Sequence, residues 1–240
     1  MSSIGAKNII KLIKNVGSKI TNLVYPPICT FCGKKCMEND GFLCLECIKK
    51  LEKFKIKNKV NRNIDKEVNY NEEMYMYEYK DIVRKYIIDY KFNDKSYMYK
   101  GFARLILNDK KIYKKINSYD IITAVPIHNK RMKIRGYNQS KLVAKEISIL
   151  LEKDYIDLVE KIKNNIAQST LNRKQRIENV KDSYRIKSFY IKENNKLFSN
   201  KKILIIDDIY TTGSTINEVA KEVSKITKKE NIGILTIAKD

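Results

Sequence analysis

Over most of the chain, short apolar runs alternate with stretches of helical periodicity. Residues 74–79 read as a strand, 81–91 as a helix, and a further helix covers much of 97–107. Ile121-Ile122-Thr123-Ala124-Val125 is a buried-strand run stopped by Pro126, and 139–151 reads as a helix. The clearest signals come last. Residues 203–206 are uniformly apolar, Ile216, Val219, Ala220, Val223 and Ile226 form a helical stripe, and 232–238 close the pattern as a strand. Strand and helix in alternation predict an α/β domain, a parallel sheet flanked by helices, with ligands bound at the carboxyl ends of the strands. The polar stretch 187–202 reads as a loop with a short strand at 189–191, and the equally polar 55–73 as a linker. The expected organisation is therefore an N-terminal module over 1–54, a linker over 55–73 and an α/β domain over 74–240.

Within the N-terminal module, Ile9, Leu12, Ile13, Val16, Ile20, Leu23 and Val24 recur at three- and four-residue steps until Tyr25-Pro26-Pro27, where a helix must stop. This predicts an amphipathic helix with lysines on its other face. Its first reading is packing on the rest of the protein; attachment to an anionic membrane surface is the second. Lys7, Lys11, Lys14 and Lys19 interrupt the apolar positions, so neither a membrane-spanning helix nor a cleaved signal peptide is expected.

All five cysteines lie between positions 29 and 47. Cys29-Thr30-Phe31-Cys32 and Cys44-Leu45-Glu46-Cys47 are two C-x-x-C pairs, and such pairs together supply the four thiolates of a tetrahedral zinc site. A secreted disulfide framework is opposed by the cysteine-free remainder, and a redox C-x-x-C does not come in duplicate. A small four-cysteine zinc module is expected, with Cys36 the spare thiol or, as the second reading, a substitute ligand. Four protein ligands leave no open position, so this zinc would hold a fold and not activate water.

The balance of 49 Lys and Arg against 28 Asp and Glu gives a net charge of +21. A charge of that size suits a nucleic-acid or membrane-surface partner. The lysines are nevertheless spread along the whole length, in a chain rich in Asn, Ile and Tyr and without Trp, a pattern that AT-rich coding also produces. Charge alone assigns no partner.

The most specific chemistry lies in Ile203-Leu204-Ile205-Ile206-Asp207-Asp208-Ile209-Tyr210-Thr211-Thr212-Gly213-Ser214-Thr215. Two carboxylates leaving a buried strand repel unless donors or positive charge sit beside them; ribose hydroxyls or hydrated Mg²⁺ would serve. Thr211, Thr212, Ser214 and Thr215 surround Gly213 just ahead of a helix, whose N-terminus offers free N–H groups and a positive dipole end. That combination makes a phosphate cup. Helix capping alone needs one such residue, not four. An ATPase Walker B strand also ends in acids, but the eight glycines provide neither G-x-x-x-x-G-K-[ST] nor G-x-G-x-x-G.

The Asp-Asp-x-x-Thr-Thr-Gly-x-Thr stretch resembles the phosphoribosyl pyrophosphate (PRPP) motif of type I phosphoribosyltransferases. Val125-Pro126, Arg131 and Arg135-Gly136-Tyr137-Asn138-Gln139-Ser140, then Gln168-Ser169-x-Leu171 and Arg176-x-x-Asn179, resemble segments of the ComF family, as do the N-terminal Pro-Pro and paired C-x-x-C. The resemblance implies a phosphoribosyltransferase fold and Mg²⁺-dependent binding of PRPP or a related ribose phosphate. In it, Asp207 and Asp208 meet the ribose and the 211–215 loop holds the phosphate, while Arg131, Arg135 and Arg176 steady a departing pyrophosphate. Asn138 and Gln139 would orient the loop carrying the arginines, and His128, the only histidine, is incidental. The resemblance further implies a link to DNA uptake in competence, with single-stranded DNA and a competence helicase or motor as partners, and a cytoplasmic place, peripheral at the inner membrane face under the second reading of the helix. The other function it implies is an active transferase of nucleotide salvage. Any lid selecting a base is expected from the zinc module or from residues 56–118.

Overall fold

The computed structural model describes residues 26–36, 42–62, 68–165, 173–192 and 195–240. The helix expected over 9–24 lies outside the described residues. The chain divides into two compact units, 1–49 and 50–240.

In the first unit the chain turns back on itself at Gly33, whose φ of +73° is left-handed and favours glycine. Its N–H donates to the Cys29 carbonyl at 2.9 Å, the Cys29 N–H donates to the Lys34 carbonyl at 2.8 Å, and Thr30 and Phe42 join the two halves through a 2.9 Å backbone bond. The second C-x-x-C pair leads into helix α1 (Leu45–Glu52). Cys29, Phe31, Leu43 and Cys47 are buried, a thin apolar interior for an independent fold.

The second unit starts with a departure from expectation. Within the stretch 55–73, read as a linker, β1 (Val60–Arg62) pairs antiparallel with β2 (Glu72–Glu78). The polar composition of β1 fits an edge strand, which needs only one partner. Next come α2 (Asp81–Phe92), α3 (Met98–Leu107) and α4 (Lys110–Asn117), the last started by Asp109, whose side chain accepts from the N–H groups of Lys111 and Ile112. β3 (Ile121–Ala124), α5 (Asn129–Arg135), α6 (Gln139–Leu150) and β4 (Asp154–Tyr155) follow. A separate antiparallel pair, β5 (Val159–Lys161) and β6 (Tyr184–Ile186), brackets α7 (Arg173–Val180). The chain ends through α8 (Ser188–Lys192), α9 (Asn195–Phe198), β7 (Ile203–Tyr210), α10 (Ser214–Val223) and β8 (Ile232–Lys239).

Among the described residues six strands form one sheet in the order β1-β2-β8-β7-β3-β4, parallel throughout except for the β1 edge. The expected α/β class with a parallel sheet and flanking helices is what the protein has, with a mixed edge. Its central strands read as continuous apolar runs because both faces are covered. Ile203 and Ile205 share a core with Ile216, Val219 and Val223 of α10, while α6 packs on β3 and β7. Leu204 and Ile206 are as fully buried as their neighbours. Each such side chain contributes roughly 1.5–3 kcal/mol of burial. Buried Glu222 on α10 accepts from the Ile186 N–H at 2.8 Å, tying the small β5–β6 sheet to the main layer.

Two further expectations change. Residues 189–191 form part of helix α8 and not a strand. Tyr190 donates its N–H locally to the Lys187 carbonyl and sets its ring edge-on against Phe198 at 5.6 Å, while β6 already has β5 as its partner. The segment carrying Arg131 and Arg135, expected as a loop, is helix α5, capped by the His128 ring nitrogen accepting from the Lys130 N–H and closed by Gly136 at φ +76°.

Candidate functional site

The site forms where one strand outlasts its neighbour. β3 stops at Ala124, opposite Ile206, whereas β8 continues to pair with β7 as far as Tyr210 opposite Lys239. Asp207 and Asp208 therefore lie inside β7 and not beyond its end as the apolar run suggested. They occupy its first positions past the end of β3, where one edge of the strand is open. Successive strand residues face opposite ways, yet both carboxylates line one cavity of about 710 Å³, together with Thr211, Gly213 and Thr215.

The two acids are held differently. Asp207 Oδ1 accepts from the Ser140 hydroxyl at 2.9 Å and from the Asp208 N–H at 2.9 Å. Burial and the adjacent Asp208 charge push its carboxyl up to about 7, against the pull of Lys91 and Ser140. Asp208 is paired: Lys91 Nζ at the end of α2 lies 2.9 Å from its Oδ1, and both side chains are mostly buried.

The hydroxyl loop is shaped by Gly213, with φ +75° just ahead of α10. A Cβ there would lie 2.4 Å from the Tyr210 hydroxyl, so only glycine allows this close approach. Thr212 and Ser214 hydroxyls bond each other at 2.8 Å and are not among the residues that line the cavity. The cup facing the cavity is thus Thr211, Gly213 and Thr215 with the start of α10. Tyr210 is fixed by its hydroxyl, 3.2 Å from that of Tyr70, and by an edge-on contact with Tyr75 at 5.0 Å.

Basic groups complete the lining. Arg131 and Arg135 stand one helical turn apart on α5 and both face the cavity. Arg131 donates to the Asn165 carbonyl at 3.1 Å, and Arg135 donates to Gln139 Oε1 at 2.8 Å while lying 4.9 Å from the Phe92 ring centroid. Burial lowers the Arg135 guanidinium from its ordinary value, with the Asp208 charge opposing. Asn138 caps α6, its amide donating to the Val125 carbonyl at 2.9 Å and its carbonyl accepting from the Lys141 N–H. Arg176 falls on α7 and its side chain lies outside the described residues, as do Gln168, Ser169 and Leu171.

Sequence reasoning missed Lys91, Ser140, Lys161 and Tyr184 as members of the lining. From β5 Lys161 donates to the Tyr184 hydroxyl on β6 at 3.0 Å. Burial, helped by the nearby Arg131 charge and opposed by Asp207, takes its ammonium down to about 8. These two residues lie outside both the zinc module and 56–118, the two segments expected to supply a lid; of these, 56–118 contributes Tyr79, Arg84, Lys91, Phe92 and Asp94 to the lining. Lys91 had a legible signal: it continues the four-residue spacing of buried Val83 and Ile87. Lys161 had none among so many lysines.

In the first unit the Sγ atoms of Cys29, Cys32, Cys44 and Cys47 all lie within 4.8 Å of one another. The 3.7 Å between Cys32 and Cys44 matches the edge, about 3.8 Å, of a tetrahedron with 2.3 Å Zn–S bonds. Burial alone would raise the Cys29 thiol, but backbone N–H donors of Cys44, Cys32 and Phe31 outweigh it and bring the group down to about 7. The donor set and its spacing fit zinc. Cys36 is buried and lies outside the group.

These features define a class: an α/β protein with an acid-and-hydroxyl crevice at the carboxyl ends of its parallel strands, plus a four-cysteine metal-binding module. Residues 20–61 match the double zinc ribbon domain family. The chain is 29% identical over 145 residues to competence protein F of Haemophilus influenzae, covering 59% of this chain and 61% of that protein. It is 32% identical over 146 residues to competence protein ComFC of Streptococcus pneumoniae, covering 61% and 59% respectively. The match thus spans about three fifths of the length of these relatives. Among solved structures, a purine phosphoribosyltransferase from Pyrococcus horikoshii Ot3 aligns with a TM-score of 0.37 at 15% identity, over 60% of this chain and 85% of that one. Over these stretches the chain is similar to competence proteins of the ComF type.

Proposed function

We propose that this protein binds a ribose 5-phosphate group, as PRPP or a related sugar phosphate, in the cavity beside β7, and that it does so in DNA uptake during competence. The single observation that carries the reading is that Asp207, Asp208, Thr211, Gly213 and Thr215 line one cavity. Ribose offers two adjacent hydroxyls to the acids. Its phosphate is a dianion matched to backbone N–H groups and hydroxyls at the start of α10. Arg131 and Arg135 give the same cavity positive charge for a diphosphate, and Arg176 joins them by family resemblance. Mg²⁺ would supply charge neutralisation on that diphosphate. The relatives' names support the link to competence, and the net charge of +21 suits a single-stranded DNA partner. The four-cysteine group would hold a structural zinc, leaving the N-terminal module to brace the protein or to dock on a motor protein. A cytoplasmic place, peripheral to the membrane if the N-terminal helix binds lipid, belongs to the same reading. Among the described residues no helix is long and apolar enough to cross a membrane.

A second reading, an active transferase of nucleotide salvage, is favoured by the cavity's size and by Lys161 and Tyr184 on its wall. The volume lies well within the roughly 300–1,000 Å³ of small-molecule sites and leaves room for an acceptor. Isothermal titration with PRPP, with and without Mg²⁺, tests the shared core of both readings: saturable binding supports it, and no heat of binding under either condition removes it. Pyrophosphate release across a panel of nucleobases separates the two. Turnover with one of them establishes the transferase, and tight binding without turnover leaves the binding protein.

A further inference from the structure

We propose that Lys91 is a resident cation for the acid pair, so that Asp207 and Asp208 read the two hydroxyls of a sugar without a protein-bound divalent ion. The inference rests on the ribose-phosphate reading above and adds a residue that determines what the acids recognise. Its basis is the placement of Lys91. The Nζ lies 2.9 Å from Asp208 Oδ1, and side-chain exposure is only 17% for Lys91 and 13% for Asp208. Both residues line the same cavity.

The lysine is built into position. Fully buried Tyr90 donates its hydroxyl to the Gln139 carbonyl at 2.9 Å, and the Tyr137 hydroxyl donates to the Tyr90 carbonyl. On the other side Phe92 stacks under the Arg135 guanidinium. The end of α2 is thereby fastened to α5 and α6, and Lys91 stands between two anchored neighbours. Its place in the last turn of α2 also suits a cation, since the carbonyl end of a helix is its negative end.

Charge arithmetic decides what the pair can hold. Two ionised carboxylates carry two negative charges, Lys91 cancels one, and Asp207 is driven towards its protonated form by burial beside Asp208. Arg135 adds a further favourable field at Asp208. What remains is at most one negative charge, whereas Mg²⁺ sheds its water reluctantly and is held by carboxylates acting together with substrate phosphates. A ribose diol asks only for acceptors. A carboxylate held by Lys91 and a second held by Ser140 keep lone pairs for hydroxyl donors. Any Mg²⁺ in a PRPP complex would then travel with the diphosphate, and a monophosphate sugar would need none.

The test is calorimetric titration of ribose 5-phosphate into the full chain in EDTA and again in Mg²⁺, for wild type, Lys91→Gln and Lys91→Arg. Wild-type affinity is expected to agree within about twofold between the two buffers. Lys91→Gln should lose roughly tenfold or more in EDTA, the order of one charge-assisted contact, and regain it in Mg²⁺. Lys91→Arg should restore metal-independent binding. Mn²⁺ titrated without sugar and followed by its paramagnetic signal should bind Lys91→Gln and not wild type. Circular dichroism establishes that each variant is folded, and Lys91→Arg with wild type keeps the comparison if Lys91→Gln is not. Wild type that binds the sugar only with Mg²⁺, wild type that takes up Mn²⁺ unaided, or Lys91→Gln unchanged in EDTA overturns the role of Lys91 while leaving the ribose-phosphate reading standing. Wild type that binds ribose 5-phosphate in neither buffer overturns both.

Discussion

The two units of this chain solve the same electrostatic problem in opposite ways. In the first, four cysteine sulfurs converge within 4.8 Å on a module whose apolar interior is a few side chains. Four thiolates so close together would repel, and a tetrahedral metal ion would neutralise them. In the second, two carboxylates sit side by side in a cavity, but the sheet and helices around them bury an extensive core that does not involve them. That core can tolerate a raised Asp207 and a partly buried Lys161, groups left in reach of a ligand. A small unit spends its polar chemistry on stability; a large one can keep it for binding.

The sharpest way to break this contrast is to remove thiols that would hold the metal. Zn²⁺ in structural sites of this kind contributes on the order of 10 kcal/mol. Cys29→Ser with Cys47→Ser should therefore abolish stoichiometric zinc, measured by atomic absorption, and unfold the N-terminal module. The melting transition of the α/β unit should survive. Loss of both transitions together would show that the units are not independent.

The complementary experiment weakens the second unit's interior. Ile205 is fully buried between α10 and the neighbouring strands, so Ile205→Ala should destabilise by about 2–5 kcal/mol in chemical denaturation with zinc content unchanged. Gly213→Ala should have a smaller effect on stability, about 1–2 kcal/mol from the left-handed backbone, because Tyr210 must also move aside. Its larger consequence should appear in titration as loss of ribose 5-phosphate binding, since the cup is displaced.

The smallest expected effects are in pH. Folded Asp207 keeps its proton up to about 7, while the unfolded chain releases it near 3.8, so the native state binds more protons across that window. Its contribution to stability therefore falls as pH rises from about 4 to 7. Lys161 has its own window. The native state gives up that proton near 8 and the unfolded chain near 10.5, so its contribution improves across that interval. Denaturation curves for Asp207→Asn and Lys161→Met against wild type should each lose the corresponding slope; parallel curves would mean the groups titrate normally.

Much of this was legible in the chain because burial on both faces writes strands as apolar runs. Residues 203–206 and 232–238 announced the two central strands, and the stripe from Ile216 announced α10. What was hidden depended on partners. β1 is polar and exists through its pairing with β2, and the extension of β7 through Tyr210 exists because β8 supplies a ladder to Lys239. Helix α4 depended on one capping residue, Asp109. In the site, Asp207, Asp208, Thr211, Gly213 and Thr215 stand close in sequence and line one cavity, whereas Thr212 and Ser214 do not. Ser140, Lys161 and Tyr184 come from three distant elements, and only the packing of those elements brings them to one cavity.

The central claim is that the acid pair and the hydroxyl loop grip opposite ends of one sugar phosphate. A crystal structure with ribose 5-phosphate tests it most directly. The account predicts the two ribose hydroxyls against Asp207 and Asp208 and the phosphate against Thr211, Gly213 and Thr215. A ribose phosphate lodged elsewhere, or seated here with its phosphate on the acids' side, would contradict it.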